Sequence, residues 1–389
     1  MIAVIADDFT GAAEIGGIGL RHGLRVMIET RVEKVKDVDL LIIATNTRAL
    51  SKTEAAKEID KITRKLLKLE PEFIFKKLDS VLRGNVAAEL HAQMKASAND
   101  IAVIVAGNPY FKRIINKGIY YVEGIPLAQT SFGNDPEYSI NSSHVTEIIG
   151  NEFCEVSSIG VDERMPTNGL VVGDITNDEE MTRWTMRLNN QMVIAGGAGF
   201  FNAILFSSLK NGKIPGEIKK EYTFGSKTLF IFGSAYPKSP DMDRMTLDNN
   251  ISVVNMPAEI FNSADFEPDV MRRWVSTVSD HLRADKNVFV SIKYKYKKES
   301  GLSVRLSKHI GEFVAQVNKS VAIEDLFIEG GATASAVFKS LEINRLMPFC
   351  ELDAGIIQMK VDKFPNMKIT TKPGSYKWPV DKVRIKTHV

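Results

Sequence analysis

Ile2-Ala-Val-Ile-Ala-Asp-Asp-Phe-Thr-Gly-Ala12 joins an unbroken apolar run to a polar turn, and the turn to a stretch with helical spacing that reaches about His22. An apolar run without alternation reads as a strand buried on both faces, the condition found in a parallel sheet covered by helices. The same unit recurs downstream. Strands are expected at Arg25–Glu29, Asp39–Ala44, Phe73–Lys76, Ile101–Val105, Gly169–Gly173 and Met192–Ala195. Between them lie helical stretches over Ser51–Leu69, where Ile59, Ile62, Leu66 and Leu69 share a face, over Asn85–Ser97, and from Asp178 onward. The alternation lapses from Asn108 to Asn151, a segment rich in Gly, Pro and Asn; a long irregular segment in a compact fold is more often functional than idle.

A second series follows a polar, mixed-charge stretch at Asn211–Lys227. Its strands are expected at Thr228–Phe232, Ile251–Asn255, Val288–Ile292 and Leu326–Glu329. Helices are expected near Asp241–Asn249, Pro268–Ala284 and Ser303–Lys319, and from about Thr333. The expected architecture is therefore two α/β domains with mainly parallel sheets, residues 1–215 and 225–389, with an active-site cleft between them.

Composition narrows the function. Lys and Arg number 50 against 48 Asp and Glu, a balance that offers no global field to nucleic acid and leaves room for a local patch binding a small anion. Cys154 and Cys350 stand apart with no CxxC partner, and the six histidines are scattered without HExxH spacing, so neither a disulfide framework nor a metal centre is expected. Ile2–Ala6 runs into Asp7-Asp8 without a preceding basic region, unlike a signal peptide, and no apolar run is long enough to span a bilayer. A cytoplasmic setting is expected, with homo-oligomerisation left open.

Chemistry is concentrated where strands end, the edge at which open α/β sheets take ligands. Asp7 and Asp8 sit at the end of the first strand, with Thr10 and Gly11 behind them. A carboxylate there can accept a proton from an attacking hydroxyl or hold a metal ion, and Gly11 leaves room for a ligand; Asp8 or Thr10 can equally cap the helix. Phe75-Lys-Lys-Leu-Asp-Ser-Val-Leu-Arg-Gly-Asn85 places Lys77, Asp79, Ser80, Arg83 and Asn85 at a second strand exit. Cations for a carboxylate, with acceptors and donors for hydroxyls, suit a hydroxy acid; a solvated turn with an Asp–Arg pair is the plainer alternative. Gly107–Arg113 leaves a third strand and could carry Arg113 over the same edge, and a surface hairpin accounts for Tyr120–Leu127.

Gly-rich turns form the last class. Gly233-Ser-Ala-Tyr236 and Gly330-Gly-Ala-Thr-Ala-Ser335 follow strands, and the second opens a helix whose bare N–H groups could face phosphate. Gly196-Gly-Ala-Gly199 has the same local form. Walker A, strand-following GxGxxG and DxDxT patterns are all missing, which counts against a P-loop enzyme, a dehydrogenase and a haloacid-dehalogenase phosphatase.

Taken jointly, ADDFTGA (6–12), KKLDSVLRGN (76–85), Asn108–Leu127 and AGGAGF (195–200) resemble the N-terminal domain of the four-carbon acid sugar kinase family. GSAY (233–236), GGATAS (330–335) and TKPGSYKWP (371–379) resemble its C-terminal nucleotide domain. The resemblance implies phosphorylation of a hydroxyl of a tetronate such as threonate, erythronate or 3-oxo-tetronate by ATP with Mg²⁺. It implies substrate contacts from Asp8, Lys77, Asp79 and Arg83. Asp8 is the expected base, Arg83 or Lys77 the carboxylate anchor, and Asp79 and Ser80 the partners of the hydroxyls. Asp7, Thr10, Asn85 and Arg113 complete the expected substrate site. Ser234, Gly330, Gly331, Ala332, Thr333 and Gly374 are the implied ATP contacts. The chain departs from the family's GSxS at Tyr236, from its KxGxFG at Tyr376-Lys377-Trp378, and from its PAFP-like stretch at Asn108–Phe111. A non-catalytic sugar-acid-binding protein, or a phosphatase or dehydrogenase using the same sheet edge, is the alternative reading.

Overall fold

Ile2–Ala6 (β1) is buried along its whole length, and Asp8 stops it by capping the helix that follows. Asp8 has extended backbone (φ −142°, ψ 166°) and its carboxylate accepts from the Gly11 N–H at 2.8 Å, satisfying one of the donors that a helix start leaves open. The computed structural model describes residues 1–134, 139–208, 222–232, 251–284, 286–292, 294, 301–374, 376, 378 and 383–385. The chain divides into two units, Met1–Gly216 and Glu217–Val389.

In the first unit β1 leads to α1 (Phe9–Arg21), β2 (Val26–Glu29), β3 (Leu40–Ala44), α2 (Lys52–Leu67), β4 (Ile74–Lys77), α3 (Val86–Ser97) and β5 (Ile101–Val105). A small antiparallel sheet, β6 (Arg113–Asn116), β7 (Ile119–Val122) and β8 (Ile125–Pro126), occupies part of the irregular segment. Next come α4 (Val145–Ile149), β9 (Val156–Ile159), β10 (Gly169–Gly173), α5 (Asp178–Met186), β11 (Met192–Gly196) and α6 (Ala198–Ser208). The main sheet runs β2-β3-β1-β4-β11-β5-β10-β9, with every neighbouring pair parallel. From β1 the chain passes to β2 at the end of that order, returns through β3 beside β1, then crosses to β4 on β1's other side. The strand order reverses between β1 and β4, which opens a crevice at their C-terminal ends.

Ala3, Ile5, Leu41 and Ile43 of β1 and β3 pack against Ile59, Ile62 and Leu66 of α2. Burying each such aliphatic side chain contributes about 1.5–3 kcal/mol against the entropy of ordering it. The start of α2 is fixed by a capping box, in which the Ser51 hydroxyl accepts from the Glu54 N–H while the Glu54 carboxylate accepts from the Ser51 N–H.

The second unit contains β12 (Tyr222–Phe224), β13 (Thr228–Phe232), β14 (Ser252–Asn255), α7 (Ala258–Asn262), α8 (Pro268–Arg283), β15 (Val288–Ser291) and α9 (Leu302–Ser320). It continues with β16 (Asp325–Glu329), α10 (Gly331–Leu341), β17 (Arg345–Asp353), β18 (Ile356–Val361), β19 (Lys368–Lys372) and β20 (Val383–Ile385). The run β14-β15-β13-β16-β19 is parallel, whereas β18 and β17 extend it antiparallel; β12 and β20 pair separately. Its core is aromatic, with Phe224, Phe230 and Phe327 in mutual contact and Trp274 of α8 stacked on Phe313 of α9 at 3.7 Å.

The strands expected from sequence are present to within a residue or two. The expected start of the last helix at Thr333 moves to Gly331. The antiparallel flank β17–β18 was not anticipated; it turns at Ala354-Gly355, where Gly355 has φ +73°. The helix expected at Asp241–Asn249 lies outside the described residues. No helix among the described residues is long and apolar enough to cross a membrane.

Candidate active site

At the reversal point β1 delivers Asp7 and Asp8, β4 delivers Lys77 and, two residues on, Asp79, and β3 delivers a residue that the sequence reading missed. This is Arg48, on a short 3₁₀ turn, Thr47–Ala49. Its Nε and Nη2 donate to the two carboxylate oxygens of Asp7 at 2.8 and 2.9 Å. Its guanidinium also lies 3.3 Å from Asp8 Oδ1 and 3.3 Å from Asp79 Oδ1. One partly buried arginine thus gathers three buried aspartates, each from a different stretch of sequence than its own. The sequence offered only a faint positional signal, that Arg48 follows β3 by four residues; that β3 pairs with β1 is known only from the fold.

The turn carrying Arg48 is held in place by Asn85, whose Nδ2 donates to the Thr47 and Leu50 carbonyls at 3.0 and 2.9 Å. Asn85, expected at the substrate, braces the arginine that organises the carboxylates. Gly84 has φ +96°, and a Cβ there would come within 3.0 Å of Arg48 Cγ, so both its conformation and its neighbour require glycine.

Asp79 is the most heavily engaged carboxylate. It accepts from the Val81 and Arg83 N–H groups at 3.1 and 3.2 Å and pairs bidentately with Arg83, Nε at 2.9 Å and Nη2 at 2.8 Å. Burial opposes its charge, but Arg48, Arg83 and the turn's amides prevail and hold its carboxyl far below the usual carboxylate range. Asp8 follows the same rule: burial works against ionisation, and Arg48, the Thr10 hydroxyl, Lys77 and the Gly11 amide outweigh it, lowering the value. Burial likewise acts against the Arg48 charge, yet Asp7, Asp8 and Asp79 keep it protonated well beyond its ordinary range.

Thr10 Oγ1 donates to Asp8 Oδ2 at 2.6 Å, which makes it a partner of the aspartate. The Lys77 ammonium donates to the Leu78 carbonyl at 2.8 Å and lies 3.5 Å from Glu14 Oε2. The space expected over Gly11 is filled: a Cβ there would meet Asp8 Oδ1 at 2.8 Å and Lys77 Nζ at 3.3 Å. Capping and chemistry therefore coincide at Asp8, since its Oδ1 holds the helix start while its Oδ2 takes the Thr10 hydroxyl and Arg48.

The β6–β8 sheet reaches this edge through Tyr120, a buried side chain also missed from sequence, whose hydroxyl donates to the Ser80 carbonyl at 2.5 Å. Burial pushes its phenol upward, so it stays a donor. Arg83 and Arg113 both lie against the ring of Phe132, 5.5 and 5.8 Å from its centroid, which brings the third strand's arginine to the same place.

In the second unit the expected nucleotide contacts among the described residues sit at or just beyond the C-terminal ends of two adjacent parallel strands, β16 and β19. Gly330 closes β16 with φ +96° and ψ 137°, a conformation open essentially to glycine, and its N–H donates to the Lys372 carbonyl at 2.9 Å. Gly331, Ala332 and Thr333 form the first turn of α10, where N–H groups have no intrahelical acceptor and the helix dipole favours an anion. Gly374 lies two residues beyond β19. Ser234, along with Tyr236 and Lys377, falls outside the described residues. Among the described residues no group of three His, Cys, Asp or Glu side chains is disposed to hold a metal. Where Asp7, Asp8 and Asp79 converge, the Arg48 guanidinium supplies the positive charge.

Residues 2–204 match the model of a sugar-binding N-terminal domain, and residues 230–376 that of a nucleotide-binding C-terminal domain. The chain belongs to the four-carbon acid sugar kinase family. The Salmonella typhimurium D-threonate kinase is 26% identical, with 96% of this chain and 94% of the relative aligned. The Brucella melitensis 3-oxo-tetronate kinase is 23% identical, over 88% and 85% of the two chains. A D-erythronate kinase from Heliobacterium modesticaldum is 32% identical over 38% of this chain and 35% of its own. A solved Haemophilus influenzae protein shares this chain's fold at TM-score 0.69, with 16% identity and 98% of each chain covered.

Proposed function

We propose that the chain transfers the γ-phosphoryl group of ATP to a hydroxyl of a four-carbon sugar acid, namely threonate, erythronate or 3-oxo-tetronate. The observation that carries this reading is the charge cluster at the β1/β4 reversal point, where Asp7, Asp8 and Asp79 interlock with Arg48, Arg83 and Lys77. Ionised acceptors suit the hydroxyls of such a substrate, and the arginines suit its carboxylate. Full-length similarity to tetronate kinases supports the same reaction.

In this reading Arg83, with Arg113 beside it on Phe132, faces the substrate carboxylate. Asp79, Ser80 and Thr10 lie along the hydroxyls, and Asp8 orients the attacking hydroxyl and takes its proton. Asp7 fixes Arg48, and Asn85 fixes the turn that carries it. The N-terminus of α10 and the bare Gly330-Gly331 backbone receive phosphate oxygens, with Gly374 beyond the neighbouring strand β19 and Ser234 as a further nucleotide contact. Mg²⁺ carried on the nucleotide's phosphates supplies charge neutralisation at the transferring group. A cytoplasmic setting suits a reaction that draws on ATP.

The test is an ADP-release screen against four-carbon sugar acids, their 2- and 3-oxo forms, and the uncharged tetritols and aldotetroses. Turnover confined to acids is expected. Preference for an uncharged tetritol would overturn the assignment of the arginines.

A further inference from the structure

Trp378 lies just past the point where this chain departs from the family's KxGxFG pattern, and it is tied to three strand ends at once. Its indole stacks on Phe232, the last residue of β13, with centroids 5.3 Å apart and an interplanar angle of 9°. Its Nε1 donates to Glu329 Oε2, at the end of β16, at 3.0 Å. The Lys372 ammonium, at the end of β19, lies 5.4 Å from the ring centroid. Lys372 is itself buried and pairs with the same Glu329 oxygen at 3.0 Å.

Lys372 also does something to the backbone. Its Nζ donates to the carbonyls of Pro373 at 2.8 Å and Tyr376 at 2.6 Å, so its three N–H groups are each matched by an acceptor. In a trans peptide the carbonyl and the following N–H point in opposite directions, and the described chain contains no cis peptide. Drawing the Pro373 carbonyl inward onto Lys372 therefore aims the Gly374 N–H outward. The same grip engages two negative carbonyl ends on the ammonium, while Glu329 balances its charge. Gly330 N–H, bonded to the Lys372 carbonyl, locks this segment to the glycine turn.

Resting on the kinase reading above, we propose that Trp378, Lys372 and Glu329 act as a positioning device that presents the Gly374 amide and the Gly330 turn to the nucleotide's phosphates. None of the three needs to touch the nucleotide. The ring packs on the last residue of β13 and its N–H fixes Glu329, which in turn fixes Lys372 and the loop.

Trp378→Phe keeps an aromatic ring over Phe232 and removes only the indole donor. Calorimetry with Mg-ADP should show affinity about 10-fold weaker, the effect of losing one hydrogen bond to a charged group. The KM for ATP should rise by about the same factor relative to that for the sugar acid. Lys372→Met, which releases the Pro373 and Tyr376 carbonyls, should weaken Mg-ADP further. The Trp378 contribution to intrinsic fluorescence should change when Mg-ADP binds the natural chain. If the natural chain binds Mg-ADP and Trp378→Phe binds it equally well, the device is refuted while the kinase reading stands. A lowered melting temperature with unaltered Mg-ADP affinity has the same meaning. Failure of the natural chain to bind Mg-ADP or Mg-ATP at all would remove both.

Discussion

Replacing Arg48 by Met keeps much of the side chain's apolar stem and removes the charge on which Asp7, Asp8 and Asp79 converge. The losses are unequal. Asp7 loses both hydrogen bonds of its bidentate pair. Asp79 keeps Arg83 and two backbone amides, and Asp8 keeps Thr10, Gly11 and the nearby Lys77. Removing one partner of a buried ion pair costs about 3–5 kcal/mol, and the retained partners place this case near the lower end, about 3 kcal/mol. For a unit of this size that is a fall of about 6–12 °C in melting temperature. The pH dependence carries the sharper test. Asp8 and Asp79 are held below their ordinary value of 3.8 in the folded chain. Their ionised forms therefore add stability that is present above about pH 4 and is lost as pH falls toward the folded values. Arg48→Met weakens that contribution, so its melting curve should lie well below the natural one at pH 7 and approach it below about pH 4. Scanning calorimetry of both proteins from about pH 7 down to about pH 2, which crosses the ordinary carboxylate value below which the contribution is lost, makes the comparison. A gap that does not vary with pH, or a shift of less than about 2 °C at pH 7, would show that Arg48 does not hold the cluster together.

Asp8→Asn retains a side chain able to cap α1, so its melting temperature should stay close to the natural value while kcat falls by about 10²-fold or more. Near-normal kcat in a well-folded variant would remove Asp8 from the mechanism and leave Asp79 as the next candidate base. Arg83→Ala should raise the KM for the sugar acid by about 10- to 100-fold, following the loss of a charge-assisted contact of about 1.5–3 kcal/mol, and far more than that for ATP; an equal rise in both would reject it as the carboxylate anchor. Gly330→Ala forces a Cβ onto a backbone at φ +96°, at a cost of about 1–3 kcal/mol, and should weaken Mg-ATP binding while leaving sugar-acid binding intact.

The sequence made the parallel strands legible because each one, buried on both faces, is written as a continuous apolar run: Ile2–Ala6, Leu40–Ala44 and Ile101–Val105 are buried throughout. It also exposed the exits of β1 and β4, since Asp7-Asp8 and Lys77–Asn85 interrupt apolar strands with charge. Arg48 escaped because what makes it central is strand order. Nothing local in Thr45–Arg48 says that β3 lies against β1, and the arginine is 41 residues from the aspartate it grips most closely. Tyr120 escaped for a related reason. Within Ile119–Leu127 it reads as one aromatic in a hairpin, and only the tertiary fold lays its hydroxyl on the Ser80 carbonyl. The antiparallel strands β17 and β18 carry mixed polar residues and a Pro, which blurs the alternation that would have marked them.

The electrostatics of the site bear on what Asp8 can do as a proton acceptor. A carboxylate surrounded by Arg48, Lys77, a hydroxyl and a backbone amide is ionised at neutral pH but has low proton affinity, and base strength in a transition state follows that affinity. Strong deprotonation of a sugar hydroxyl ahead of transfer does not suit such a group. Phosphoryl transfer makes a smaller demand: in a loose, metaphosphate-like transition state the nucleophile is little bonded, and its proton can leave late. In the proposed role Asp8 then serves first by aligning the hydroxyl's lone pair and only afterward by receiving its proton. On this argument the loss in Asp8→Asn belongs nearer 10²- than 10⁴-fold, because an amide oxygen can still accept the hydroxyl's hydrogen bond. Arg48→Met should act in the opposite sense on base strength: with the guanidinium gone, Asp8 regains proton affinity, and the acid limb of the kcat profile should move to higher pH. A limb that stays in place in Arg48→Met would mean that Asp8 is not the group whose protonation limits the reaction.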